Sequence, residues 1–380
     1  MSAERQTFDV FEDPRGIDFT LGVEEEFFVV DAQDRALRTD AEAVVKRSEA
    51  PEGNVIDHEL KRSQAETGTA VCRDAGGVRA SIVALRSRLA AAAAESGGRL
   101  LASGTHPFAH WSDDGGVIPE PAYLRLRETY GQLTEEQMVC GCHVHVGVRD
   151  PEMAIAVMNR ARPWIPLLVA VSANSPFWMG DDTRYASYRT EVFHRWPTAG
   201  PPEHVDDRAA YDAILDDLEA TKLIDGPARI YWDIRPSARY PTLEFRAADV
   251  MTSVDEAVAF ALIVRALVET CHAEALAGTP FRPPRSELVR GAVWRAARSG
   301  LSAQLIDLDA MEAVPAAELV ARSLAHLRPV LEAHGEWDEV HRTLDRTVHL
   351  GTGADRQRAA LARSGDLRAV VDMLVAATLA

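Results

Sequence analysis

Hydrophobic and polar positions change period several times along the chain, and each change marks an element. From Thr20 to Val30 the run TLGVEEEFFVV is β-rich and ends on Asp31-Ala32-Gln33-Asp34, a turn that predicts a hairpin. Residues 77–95 carry apolar positions at helical spacing and stop at Gly97-Gly98. A short strand is expected over Leu100–Ala102 and a longer one over Met138–Val148. Asp150-Pro151 suits the unpaired N–H groups of a helix start and opens a long helix. Residues 172–202 show no regular period and are rich in Trp, Tyr, Arg and Pro; so long a loop in a compact domain is usually functional. A helix follows over 206–220, then paired strands over 229–235 and 242–247. Ser253-x-x-Glu256 is a capping box for a helix running to about Gly278. From Glu287 onward the pattern is helix and turn throughout.

Strands alternating with long helices, without a regular βαβ rhythm, predict an α+β fold with a largely antiparallel sheet. Three stretches are expected: a polar tail over 1–16, a main domain over 17–286, and a helical C-terminal region over 287–380 packed on that domain. With 380 residues, 47% hydrophobic and 26% charged, the chain can bury a sizeable core. The net charge of −17 argues against nucleic acid or an anionic membrane as a partner. Lysines are confined to Lys46, Lys61 and Lys222, so no Gly-Lys-Ser/Thr phosphate loop exists, and a nucleotide would have to be held by arginine, backbone or metal. Four cysteines are too few for a disulfide scaffold. Neither a signal peptide nor an apolar run of roughly 18–20 residues is read from the sequence, and a cytoplasmic enzyme is expected.

Candidate chemistry begins at Gly22-Val23-Glu24-Glu25-Glu26. Side chains alternate along a strand, so Glu24 and Glu26 share one face about 6–7 Å apart. Such carboxylates repel unless a proton or cation lies between them, which suggests divalent-cation ligation, although a solvated strand end has the same pattern. Glu25 shares parity with Leu21, Val23 and Phe27 and receives no metal role. Glu66, with Glu59 upstream, matters only if it joins the first group. In Cys140-Gly141-Cys142-His143-Val144-His145 parity separates the thiols from the imidazoles. His143 and His145 can therefore face a metal or phosphate while the cysteines pack in the core. Around Thr242-Leu243-Glu244-Phe245-Arg246 one face is apolar and one ionic, and Asp233 and Arg235 fit the same arrangement. An arginine fork suits phosphate. The loop running through Tyr185 and Arg189 reads as a pocket wall recognising a small carboxylate, with Arg189 as anchor.

Taken together, GVEEE, SQAETGT, GTHPFAHW, CGCHVHVG, ANSPFW, YASYRTEVFHRWP, WDIRPS and TLEFRAADV make the sequence resemble the type 2 glutamate–cysteine ligases, or carboxylate–amine ligases. The ordered set spans roughly residues 18–250. The resemblance implies a glutamine-synthetase-like catalytic domain with a curved, largely antiparallel sheet flanked by helices. It also implies ATP and Mg²⁺: phosphorylation of a γ-carboxylate of glutamate, then attack by an amine. Metal ligands implied are Glu24, Glu26, Glu66, Glu244 and His145. His143, His145, Arg235 and Arg246 would approach the nucleotide, and Arg189, Tyr185 and Arg235 the amino-acid substrate. Arg246 and Arg189 would serve catalysis. A metal-dependent hydrolase and a catalytically silent nucleotide-binding protein stay open as alternatives. Partners are expected to be small molecules, with a homodimer left open.

Overall fold

The computed structural model describes residues 19–380; the tail expected over 1–16 lies outside the described residues. The chain opens with β1 (Leu21–Asp31), α1 (Ala41–Arg47), β2 (Val55–His58), β3 (Gln64–Gly68), α2 (Ala75–Glu95) and β4 (Gly98–Leu101). Next come α3 (Pro121–Tyr130), α4 (Gln132–Glu135), β5 (Gly141–Gly147), α5 (Pro151–Ala161) and α6 (Ile165–Ser172). The hairpin β6–β7 (Phe177–Trp178 and Asp181–Asp182), α7 (Tyr188–Phe193) and α8 (Arg208–Ala220) precede β8 (Ile234–Pro236) and β9 (Thr242–Asp249). Then follow α9 (Val254–Leu276), α10 (Ser286–Ser299) and the hairpin β10–β11 (Gln304–Asp307 and Glu312–Pro315). The helices α11 (Ala316–Ala333), α12 (Trp337–Leu350), α13 (Gly353–Ser364) and α14 (Leu367–Thr378) complete the chain.

Every pairing in the main sheet is antiparallel, in the order β2-β3-β1-β5-β9-β8, with β4 also on β1. The length of β1 makes this possible. Its first residues pair with β5, Phe28–Asp31 pair with β4, and its other edge takes β3. The register of β5 on β9 shifts between Cys142 and Val144, an irregularity of the kind that bends a sheet.

Alternation sorts the sheet into two faces. Leu21, Val23, Cys142, Val144, Val146, Leu243 and Phe245 enter one core cluster with α5, α6 and α9. α9 is buried nearly all round from Val254 to Val268, as expected of a helix at the centre of a core. Its capping box is formed: Ser253 accepts from the Glu256 N–H, and the Glu256 side chain accepts from the Ser253 N–H. Glu25 shares the apolar face. Buried Arg86 of α2 satisfies it with a two-pronged contact of 3.0 and 2.5 Å, and also donates to the Thr378 carbonyl at 2.8 Å.

Several expectations are corrected. The span 172–202 is not wholly irregular: it holds β6–β7 and α7, the latter started by Ser187, whose side chain accepts from the Thr190 N–H. Helix and turn alone do not describe the region after Glu287, where β10 and β11 form a hairpin too short to show a strand period among Ala and Arg. β8 is only three residues long; ahead of it Trp232 forms an isolated parallel bridge with Gly200, whose carbonyl accepts from the Asp233 N–H at 2.9 Å. The helical stretch Pro151–Ser172 is long and apolar enough to match a bilayer span by composition, yet 72% of that window is buried inside the protein. Its hydrophobicity is accounted for by the core.

Candidate active site

The polar face of the sheet gathers side chains from five adjacent strands, β3, β1, β5, β9 and β8. Cross-strand register places Glu26 opposite Glu66, Glu24 opposite His143, and His145 opposite Glu244. Arg235 stands opposite Glu244 on β8. Directly opposed residues lie within side-chain reach, so residues far apart in sequence converge. Glu24 Oε2 is 3.3 Å from His143 Nδ1, and its Oε1 is 3.4 Å from His145 Nε2. Glu26 Oε1 is 3.8 Å from His143 Nε2, while Oε2 accepts from the Gly141 N–H at 2.6 Å. Arg235 donates from Nε to Glu244 at 2.9 Å, and Arg246 bonds the other Glu244 oxygen.

Three overlapping groups could hold a cation: Glu24, Glu66 and His143; Glu24, His145 and Glu244; Glu26, Glu59 and Glu66. Within each group the ligand atoms lie within 4.8 Å of one another. Electrostatics match that crowding. Burial, reinforced by the charge of Glu26, pushes the Glu59 carboxyl up to about 7. Burial and the charges of Glu24, Glu59 and Glu26 push Glu66 well above its ordinary range. Burial would also raise Glu24, but His145 and His143 outweigh it and hold the carboxylate well below its ordinary range. Glu244 is lowered in the same way, by Arg246, His145 and Arg235 against the effect of burial. The buried Nε2 atoms of His143 and His145 have no hydrogen-bond partner. Imidazole nitrogens without a hydrogen-bond partner, beside carboxylates that resist joint ionisation, are a donor set waiting for a cation. Oxygen donors dominate, with imidazole second, which fits Mg²⁺.

All five metal candidates therefore converge, as do His143, Arg235 and Arg246. Glu59 joins them, though its place beyond the end of β2 gave it no parity signal. Tyr123 of α3 was also missed; burial and the charges of Glu59 and Glu66 raise its phenol. Arg189 reaches the neighbourhood from α7. It stacks on Phe193 at 5.2 Å, as Arg246 does at 6.0 Å, and donates to the carbonyls of Arg246 and Ala247 at 3.2 and 3.4 Å. Its Nε has no partner. Tyr185 is not brought to this group. Its hydroxyl accepts from the Trp294 indole N–H at 3.1 Å and its ring lies under Arg298, toward α10. Cys140 and Cys142 are buried and form no disulfide, but they do not share a face: Cys142 packs with α5, α6 and α9, while Cys140, just ahead of β5, lies in a second core cluster.

The sheet face thus combines carboxylates and imidazoles for a cation with arginines for an anionic group, and the family match places the chain among the carboxylate–amine ligases. The chain belongs to glutamate–cysteine ligase family 2, whose model matches residues 20–373. It is 43% identical over 373 residues to a proposed glutamate–cysteine ligase 2-2 of Frankia alni, covering 94% of this chain and 97% of that one. Among solved structures, the glutamate–cysteine ligase of Francisella tularensis in complex with AMP superposes with a TM-score of 0.66 at 14% identity, over 96% of this chain and 90% of that one. A bifunctional glutathione synthetase from Pasteurella multocida gives the same score at 16% identity, over 95% of this chain but only 52% of the longer protein. These structures share the fold.

Proposed function

We propose that this chain is an ATP- and Mg²⁺-dependent ligase that joins the γ-carboxylate of glutamate to an amine, cysteine foremost, through γ-glutamyl phosphate. One observation carries the reading: Arg246 sits against Glu244 and within the field of Glu24 and Glu26, on a sheet face otherwise lined by carboxylates and imidazoles. That is a site for neutralising a phosphoryl group in transfer. The AMP bound in the Francisella relative supports a nucleotide here.

A carboxylate and an ammonium do not condense at neutral pH, and phosphorylation supplies the missing leaving group. Glu24, Glu26, Glu66, Glu244 and His145, with Glu59 added, would hold Mg²⁺. When bound, the ion would offset the repulsion between an incoming carboxylate and the phosphates. Arg246 stabilises charge on the transferring group through its planar fork, and Arg235 fixes Glu244. Arg189 is our candidate for the acid substrate's carboxylate, with Nε as its unpartnered donor. The reduced, buried cysteines accord with work in the cytoplasm.

An ADP-release screen of glutamate and related acids against a panel of amines, with Mg²⁺, tests the reading. Release that needs acid, amine and Mg²⁺ together is expected, as is a higher melting temperature with Mg²⁺–ATP. Nucleotide binding without release across the panel would refute ligation.

A further inference from the structure

An ammonium must lose a proton before its nitrogen can attack an acyl phosphate, and most imidazoles near the sheet are ill-placed to take it. His143 and His145 turn Nε2 toward Glu26 and Glu24. His58 has both nitrogens engaged, by Asp57 at 2.6 Å and Glu120 at 2.9 Å. His106 is buried, bonded to the Arg35 carbonyl at 2.9 Å, and burial lowers it to about 4.

His194, at the end of α7, is different. Its Nε2 lies 2.9 Å from Oδ1 of Asp233, a carboxylate 1% exposed whose other oxygen has no partner. The His194 side chain is 25% exposed, and Nδ1 makes no hydrogen bond to the protein among the described residues. The pair adjoins the site through two routes. The Asp233 carbonyl accepts from the Arg246 N–H at 2.8 Å, and Phe193, which carries Arg189 and Arg246 on its ring, lies 6.4 Å from the His194 ring.

We propose that His194 is the acid–base group for the amine substrate, accepting its proton at Nδ1, with Asp233 as the positioning residue that fixes the ring. The inference rests on the ligase reading above. A buried carboxylate holding one imidazole nitrogen leaves the other in the form that accepts a proton. The groups facing His194 are Asp233, Glu191 and Arg189. Burial and Arg189 lower its affinity for a proton, Asp233 and Glu191 outweigh them, and the net displacement is upward from 6.5. The upward displacement makes the imidazole a stronger base than a free one.

In the step, His194 takes one proton from the ammonium. The neutral nitrogen then bonds to the acyl carbon, and the bond from that carbon to the phosphate oxygen breaks, its electron pair leaving with phosphate. The departing phosphate takes the second nitrogen proton, and His194 releases its own to solvent.

The test compares wild type and His194→Gln with cysteine and with hydroxylamine, which is already neutral at assay pH. With cysteine, a loss in kcat of about 10²–10⁴-fold is expected, together with loss of the acidic limb of the pH–rate profile. Hydroxamate formation should stay within a few-fold of wild type. Asp233→Asn should shift that limb rather than abolish it; if this variant does not fold, the partly exposed His194→Gln carries the test alone. Equal losses with both amines, in a variant whose circular dichroism is unchanged, would overturn the assignment. Wild type that forms neither amide nor hydroxamate would overturn the ligase reading itself.

Discussion

Raising the pH from about 4.5 to about 8 without divalent cations should destabilise the protein through Glu59. In the folded state this carboxyl loses its proton only near pH 7, against an ordinary value of 4.5, because ionisation would place a buried charge beside Glu26. Between those values the folded state binds a proton that the unfolded chain has released. The contribution is fully present below pH 4.5 and is lost as pH rises through about 7. At roughly 1.4 kcal/mol per pH unit the loss is about 3 kcal/mol. The partial exposure of Glu59 makes this the upper end. For 380 residues it corresponds to about 4 °C in Tm. Glu66 acts in the same direction, and the cluster titrates jointly. The assay is thermal denaturation across this range, with and without saturating Mg²⁺, for wild type and Glu59→Gln. Mg²⁺ should flatten the wild-type slope, because it binds the ionised folded cluster. Glu59→Gln should flatten it without metal. Identical slopes in all four conditions would refute the electrostatic account of the site.

Other substitutions probe the remaining layers. Arg246→Lys should cost about 10²–10³-fold in kcat with little change in Tm, since a point charge cannot replace the fork; wild-type turnover would remove its phosphate role. Arg86→Met should destabilise by about 3–5 kcal/mol in chemical denaturation by leaving Glu25 buried and unpaired, and adding Glu25→Leu should recover much of that. Gly141→Ala should lower stability by about 1–3 kcal/mol, because its Cβ would stand 2.7 Å from Arg189 Cζ; an unchanged Tm would mean that Arg189 is free to move.

Strand parity alone separated Glu24 and Glu26 from Glu25, and the imidazoles of β5 from Cys142. Period 2 is a local property of extended backbone, so these assignments needed no knowledge of neighbouring strands. The capping box of α9 was legible because it is a local motif, and the antiparallel sheet because the elements lack a βαβ rhythm. What folding decided is which distant residues oppose one another. Register sets Glu66 against Glu26 and Glu244 against His145, and no pattern within β1, β3, β5 or β9 encodes those pairings. Glu59 and Tyr123 join the site from outside any strand, where parity is silent. Tyr185 carries the composition of a pocket wall yet turns toward Trp294 and Arg298, because α10 packs there. Asp233 reads as one more charge on an ionic strand face. Only the packing of α7 against the segment before β8 brings it to His194, and burial gives that contact its chemical character.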